Sequence, residues 1–205
     1  MANEHSGTSG EQRESKARRR DAAATRAAIL ASAIAAFARH GYDGIGVREI
    51  AQDAGVTAML VNRYFGSKEQ LFAEAVDTSF APRTVIPEDP PALARELARR
   101  LVARTAPGAE TLDPFLLMLR SAANPRAAEI ITQGIERHAG RALANLLDGD
   151  AAAQRAMLAN ALIAGVWLFR TVLGVDALAR ADPAELTVRI ERMLAAVLNV
   201  PGEEA

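Results

Sequence analysis

The sequence predicts an all-α protein. Alanine is abundant while aromatic residues make up only 4% of the chain, a composition that favours helices over sheets. No alternating run of β-branched residues is long enough for a strand, whereas apolar residues recur at helical spacing between capping signals. With 205 residues, half of them apolar, the chain suits one or two domains with a sizeable core.

Residues 1–20 hold Ser, Gly, Glu and Arg with almost no apolar content and are expected to be a disordered basic tail. Their last stretch, Lys16-Ala-Arg-Arg-Arg20, either reaches a phosphate backbone or minor groove, as basic arms do, or serves to solubilise the chain. A first helix should run from Asp21 or Thr25 to His40, burying Ile29, Ile34 and Phe37, and Gly41 should end it. Gly46 is a serviceable but weak N-cap for a second helix, which carries Val47, Ile50, Ala51 and Ala54 on one stripe.

Gly55 then turns the chain, because a residue without a Cβ adopts the left-handed conformation cheaply. Val56 fills the corner, and Thr57 can accept a backbone N–H as N-cap of a third helix. That helix buries Val61 and Phe65 and turns Ala58, Met59, Asn62 and Arg63 outward. Two short helices joined by such a turn cross steeply, which lets the second enter a DNA major groove. Gly66 stops the chain again, and Ser67-Lys-Glu-Gln70 fits a capping box opening a fourth helix with Leu71, Phe72, Ala75 and Val76 facing the interior.

Four prolines between Pro82 and Pro91 mark a linker. The first domain is therefore placed at 21–80 and the second at 81–205. Predicted helices five to seven cover about 92–106, 114–123 and 125–147, the last weakened at Gly134 and Gly140. Asp148-Gly-Asp150 leads into predicted helix 8, which ends near Gly174. Asp182-Pro183, an N-cap followed by proline at the first helical position, starts predicted helix 9, running to about Val200. The total is about nine helices.

Predicted helix 9 has one apolar stripe: Leu186, Ile190, Met193, Leu194, Val197 and Leu198. Helix 8 is apolar almost all round between Ala156 and Phe169, so both its sides need cover. A homodimer through helices 8 and 9, forming a four-helix bundle, supplies it, and Ala161 and Gly165 would let backbones approach closely. The same stretch, 14 residues flanked by Arg155 and Arg170, is too short to span a bilayer comfortably. With a polar N-terminus lacking the core of a secretion signal, a cytoplasmic protein without membrane contact is expected.

The formal net charge is −1, which argues against coating nucleic acid along the whole length. Between Lys16 and Lys68, however, nine basic residues (Lys16, Arg18, Arg19, Arg20, Arg26, Arg39, Arg48, Arg63, Lys68) face four acidic ones (Asp21, Asp43, Glu49, Asp53), leaving +5. A positive excess around a helix-turn-helix is the electrostatic footprint of phosphate contact. The chain has no cysteine, so disulfides, zinc–thiolate sites and thiol nucleophiles are excluded. His5, His40 and His138 are scattered, and no metalloprotease, nucleophile-elbow, phosphate-loop or carboxylate metal signature is present. Neither catalysis nor a metal or cofactor is expected.

Phe37-Ala-Arg-His-Gly-Tyr42, Val47-Arg-Glu-Ile-Ala51, Ala54-Gly-Val-Thr57 and Tyr64-Phe65-Gly-Ser-Lys-Glu-Gln-Leu-Phe72 together resemble the TetR family of transcriptional regulators over about 50 residues. The resemblance implies a homodimeric regulator, usually a repressor, with an N-terminal three-helix head on a palindromic operator. A C-terminal domain would bind a small ligand that releases the DNA. Carried over position by position, Thr57, Ala58, Met59, Leu60, Asn62, Arg63 and Tyr64 occupy the DNA-facing positions. Lys68 matches the family's phosphate-contacting lysine, and Arg48 is placed for a backbone contact. Asn62 stands where tyrosine is common, Ile45-Gly46 replaces the usual hydroxyl pair, and Leu60 is apolar where a small polar residue is common. Asn62 can pair bidentately with adenine, and Ala58, Met59 or Leu60 can meet thymine methyl groups.

Helices five to eight are expected to enclose an apolar cavity for a hydrophobic ligand. Phe115, Met118, Leu119, Met157, Trp167 and Thr171 are the candidate lining, with Asn160 or Arg120 as polar anchors. The competing functional readings are a helical interaction or adaptor protein without DNA binding, and a ligand-dependent activator.

Overall fold

A computed structural model of the chain describes residues 7–81, 90–109 and 113–198. Among the described residues the regular structure is entirely helical: α1 (Gly7–His40), α2 (Val47–Asp53), α3 (Ala58–Phe65), α4 (Lys68–Phe80), α5 (Pro90–Arg104), α6 (Asp113–Ser121) and α7 (Pro125–Ile135). A π-helical turn, Glu136–Gly140, joins α7 to the short α8 (Arg141–Ala144). Then come α9 (Ala152–Trp167), a second π-helical turn (Leu168–Val172), α10 (Asp176–Ala179) and α11 (Pro183–Leu198). The linker expected at Pro82–Pro91 falls, up to Asp89, outside the described residues, as does the predicted end of the last helix at Val200.

The helix runs through much of the expected disordered tail, from Gly7 into α1. Neither Gly nor Pro occurs between Gly10 and Gly41, so nothing in that stretch breaks an alanine-rich helix once the Ile29–Phe37 part is packed. Predicted helix 7 divides at its π-helical turn, where Gly140 is buried and a Cβ would lie 3.0 Å from Met157 Sδ.

The chain forms two compact units, and they do not follow a single cut in the sequence. Unit 1 comprises residues 1–76 and 116–128, and unit 2 comprises 77–115 and 129–205. In unit 1, Ile29, Ala33, Ala36 and Phe37 of α1 are buried with Ile50 and Ala51 of α2, Val61 and Phe65 of α3, and Leu71, Phe72, Ala75 and Val76 of α4. Phe72 takes Phe37 and Tyr42 edge-on at centroid distances of 4.9 and 4.8 Å, a geometry that favours aromatic pairs beyond their area.

The segment 116–128 completes this unit through contacts about 80 residues apart in sequence. The Arg120 guanidinium donates to the carbonyls of Ala38 (2.5 Å) and Arg39 (3.0 Å), satisfying the last turn of α1, whose carbonyls have no intrahelical partner. The Tyr42 amide donates to Ser121 Oγ at 3.0 Å, and Asn124 Nδ2 donates to both oxygens of Asp43 at 2.9 and 3.0 Å. Between them sits Gly41, at φ +71°, where a Cβ would lie 2.3 Å from the Arg120 carbonyl oxygen. Only glycine permits that approach.

Unit 2 packs α5 against α11 and α11 against α9. α11 buries Leu186, Ile190, Leu194 and Leu198, while Met193 is exposed. Met193 therefore lies off the buried stripe to which the sequence assigned it. The Arg170 side chain is buried and satisfied by oxygen alone: it donates to the Val102 carbonyl (2.9 Å), Thr105 Oγ1 (2.8 Å) and the Leu178 carbonyl (3.1 Å). Burial lowers its pKa below that of a free guanidinium.

Two helical stretches among the described residues, Arg19–His40 and Ala152–Val172, are long and apolar enough to cross a bilayer by length and composition. The apolar run of 14 residues is thus only part of a 21-residue helix, and its shortness does not by itself argue against a span. The first stretch, however, supplies the core of unit 1, and the second carries Arg155 and the buried Arg170.

Candidate nucleic-acid interface

The geometry starts at Gly55. Its φ of +67° turns the chain after α2, with the Val56 amide donating to the Ala51 carbonyl at 2.9 Å. Thr57 then caps α3, its Oγ1 accepting from the Leu60 amide at 3.4 Å. The weak cap at Gly46 is supported from the other side, since the Gly46 amide donates to Glu49 Oε2 at 2.7 Å. At α4, Ser67 Oγ accepts from the Gln70 amide at 3.1 Å, one half of the predicted capping box.

α3 is sharply two-faced. Val61 and Phe65 are buried, whereas Met59 is 79% exposed and Thr57, Asn62 and Arg63 are exposed beside it. Ala58, Leu60 and Tyr64 are half-buried. An exposed apolar Met59 between an amide and a guanidinium presents both thymine-methyl and hydrogen-bonding chemistry on one short helix.

Arg48, in the first turn of α2, is exposed. Among the described residues neither Arg48 nor Arg63 has a carboxylate at ion-pair distance, while Arg39 is paired with Asp53 at 3.4 Å and Arg26 with Glu74 at 2.5 Å. Two unneutralised guanidinium groups therefore flank the motif. Lys68 is held differently: its Nζ lies 4.6 Å from the centroid of the Tyr42 ring. A cation over a ring face is fixed in direction while its remaining donors stay available. Burial, followed by the charges of Glu69 and Asp43, raises the Tyr42 pKa, so the phenol stays neutral beside that lysine. Arg126 lowers the Glu69 pKa by hydrogen bonding to it.

The candidate ligand residues are divided between the two units. Met118, Leu119 and Arg120 belong to unit 1, Leu119 is exposed, and Arg120 is committed to the carbonyls ending α1. Of the five in unit 2, Phe115 and Trp167 stack at 4.9 Å with an interplanar angle of 21°. Trp167 Nε1 is buried with no hydrogen-bond partner. Met157 is half-buried, Thr171 is exposed, and Asn160 Nδ2 donates to the Ala156 carbonyl at 2.9 Å, the common local satisfaction of a polar side chain inside a helix. Sequence reading missed Ser121, Asn124, Asp43 and Arg126, whose partners are far along the chain.

A glycine turn, a threonine-capped second helix and a two-faced surface carrying unpaired arginines define a helix-turn-helix DNA-binding protein. Residues 29–75 match the model for bacterial regulatory proteins of the tetR family, and residues 92–198 match that for the tetracyclin repressor-like C-terminal domain. The chain belongs to the TetR family, which consists of transcriptional regulators and not enzymes. A helix-turn-helix-type transcriptional repressor of Streptomyces coelicolor is 38% identical over 72 residues, 35% of this chain and 38% of that protein. The regulatory protein RaaS of Mycobacterium tuberculosis is 56% identical over 45 residues, 22% of this chain and 21% of its own. The matches thus span well under half the length of these curated relatives.

Across the fold, the multidrug binding protein EbrR in complex with ethidium superposes with a TM-score of 0.63 at 22% identity, covering 86% of this chain and 99% of EbrR. A TetR-family regulator of Mesorhizobium loti gives a TM-score of 0.58 at 22% identity over 86% of this chain and 96% of that one.

Proposed function

We propose that the protein is a transcriptional repressor that binds a palindromic operator as a homodimer and releases it on binding a small hydrophobic effector. The observation that carries this is the face of α3: Met59, Asn62 and Arg63 outward, Val61 and Phe65 inward. Asn62 and Arg63 would read base edges with Met59, Ala58 and Leu60 against methyl groups, and Thr57, Tyr64, Lys68 and Arg48 would hold the backbone.

Dimerisation through α9 and α11 is supported by a stripe that runs along α9 into the following π-helical turn: Leu158, Ala161, Gly165 and Phe169. Leu158 is 52% and Phe169 48% exposed within one protomer. Val188 and Met193 extend the exposed apolar surface onto α11. A two-fold pairing of these helices would cover that surface and fix the spacing of two heads.

Effector binding is assigned to unit 2, around the stacked Phe115 and Trp167. The buried Trp167 Nε1, without an acceptor, favours an effector that carries one, since an unsatisfied buried donor costs about 1–3 kcal/mol. In EbrR the same fold holds ethidium. Action in the cytoplasm follows from the operator as partner.

The test is selection of duplexes by the full chain from a random-sequence library, followed by binding at controlled salt. A palindromic consensus is expected, and Arg63→Ala should weaken it about 10–100-fold, the equivalent of one lost bidentate base contact, with an unchanged melting curve. A wild-type protein that enriches no sequence at low ionic strength defeats the reading.

A further inference from the structure

Among the described residues, nothing neutralises the buried charge of Arg170. The residue is 4% exposed, and its three hydrogen bonds go to the Val102 and Leu178 carbonyls and the Thr105 hydroxyl, all neutral. No carboxylate of the described residues lies at ion-pair distance, and Asp176, six residues on, is paired with Arg180 at 3.2 Å. Burial lowers the Arg170 pKa and no neighbouring charge acts against it. A buried cation without a counter-ion is costly, and such groups are normally paired.

Capping explains part of this. Val102 lies in the last turn of α5, where the helix dipole supplies about half a negative charge, leaving about +0.5. Arg120 serves the end of α1 in the same way, but it is exposed and water completes its solvation. Arg170 lacks that recourse. Its bonds use Nε and Nη1; Nη2 makes none, yet it is not among the buried atoms sealed off without a partner, so an incoming group can reach it.

Three residues earlier stands Trp167, also buried, whereas Phe169 and Thr171 are exposed. Residues three apart on a helix have Cβ atoms about 5–6 Å apart. Trp167 Nε1 is a buried donor without an acceptor, and its ring stacks on Phe115. Neighbouring positions therefore offer free N–H groups, a surplus of positive charge and an aromatic surface. One carboxylate answers all of them, with an oxygen for each donor and a single negative charge. A neutral group would leave the charge unpaired, an ammonium would add to it, and a dianion would exceed it.

We propose that Arg170 and Trp167 form the polar end of a site for an apolar monocarboxylate, its two oxygens on Nη2 and Nε1 and its body against the Phe115–Trp167 pair. This rests on the reading of unit 2 as the effector-binding unit.

Trp167 is the single tryptophan of the chain, so intrinsic fluorescence reports this site alone. The full chain is titrated with compounds that share an octyl, phenylpropyl or naphthyl body and end in carboxylate, primary amide or ammonium. At least one carboxylate should change the emission and bind at least about tenfold more tightly than its amide, the gain of a charge-assisted hydrogen bond over a neutral one. Arg170→Gln keeps an N–H donor and removes the charge, so the preference for acid over amide should vanish while the amide still binds. Circular dichroism checks the fold of that variant, and the comparison of acid with amide on wild type needs no variant. Amides that bind as tightly as acids, or a set in which no carboxylate moves the emission, overturn the assignment. The same compounds are then added to the protein on the duplex it selects. An amide or ammonium compound that releases the duplex upholds the effector reading while the carboxylate site falls. A carboxylate that binds without releasing the duplex upholds the site while its role as effector falls. If wild type selects no duplex, the DNA reading fails and the titration still decides the site.

Discussion

Gly41→Ala should destabilise the protein far more than Gly55→Ala, although the two glycines have nearly the same backbone, φ +71° and +67°. At Gly55 an added Cβ meets nothing within 4 Å, so the cost is the left-handed conformation alone, about 1–2 kcal/mol. At Gly41 the same Cβ would stand 2.3 Å from the Arg120 carbonyl oxygen, 2.9 Å from its carbon and 3.3 Å from its Cβ. Backbone cannot swing aside as a side-chain tip can. The 116–128 segment must retreat by about 1 Å, an overpacking cost of about 1–3 kcal/mol, for a total of about 2–5 kcal/mol with the left-handed term. That retreat also stretches the Arg120 bonds to the Ala38 and Arg39 carbonyls and the bond from the Tyr42 amide to Ser121. Urea unfolding at one fixed protomer concentration measures the difference, with m-values compared to check that the unfolded states match. Equal losses at the two positions, within about 0.5 kcal/mol, would refute the close approach at Gly41.

Three further outcomes are expected. Ala151, just before α9, is exposed and has φ +61°, so Ala151→Gly should stabilise by about 0.5–1 kcal/mol, the left-handed penalty less the extra chain entropy of glycine; a lower melting temperature would contradict this. Leu158→Glu/Phe169→Glu places charges on the exposed stripe that runs from α9 into the following π-helical turn, so light scattering should report a monomer with unchanged helicity and a dimer would refute the assigned interface. Hydrogen bonds from Arg99 and Arg100 hold the Glu96 carboxyl down to about 2 from 4.5. The folded pKa is the lower one, so this contribution is complete above pH 4.5 and is lost as pH falls toward about 2. Glu96→Gln should flatten the acid-side decline in melting temperature over that window, and superimposable profiles would show that the pair contributes nothing.

The helix-turn-helix was legible because its determinants are local. Gly55, Thr57, Gly66 and Ser67 act on residues within four positions, and the Val61/Phe65 spacing sets which face of α3 is buried. The apolar stripe of α11 was legible for the same reason, apart from Met193. What local pattern could not carry was the destination of Arg120, Ser121 and Asn124, whose partners lie some 80 residues earlier. An arginine after an apolar run reads equally well as a pocket anchor or as a cap on a distant helix end. The helical extension of α1 escaped notice because polar, charged sequence has the composition of disorder, although no residue in it past Gly10 breaks a helix.

The discontinuity of unit 1 bears on how such a protein can be cut and recombined. A fragment stopping at Ala81 contains every residue of the motif that would read a sequence, yet it forfeits the strip that seals the end of α1. The Ala38 and Arg39 carbonyls would lose the Arg120 guanidinium, Asp43 would lose Asn124, and the Tyr42 amide would lose its hydroxyl acceptor. Transplanting operator preference from one relative to another is therefore a two-piece graft. A chimaera joined only in the proline-rich stretch would inherit a mismatched seal, and exchanging 116–128 along with the N-terminal piece should restore it.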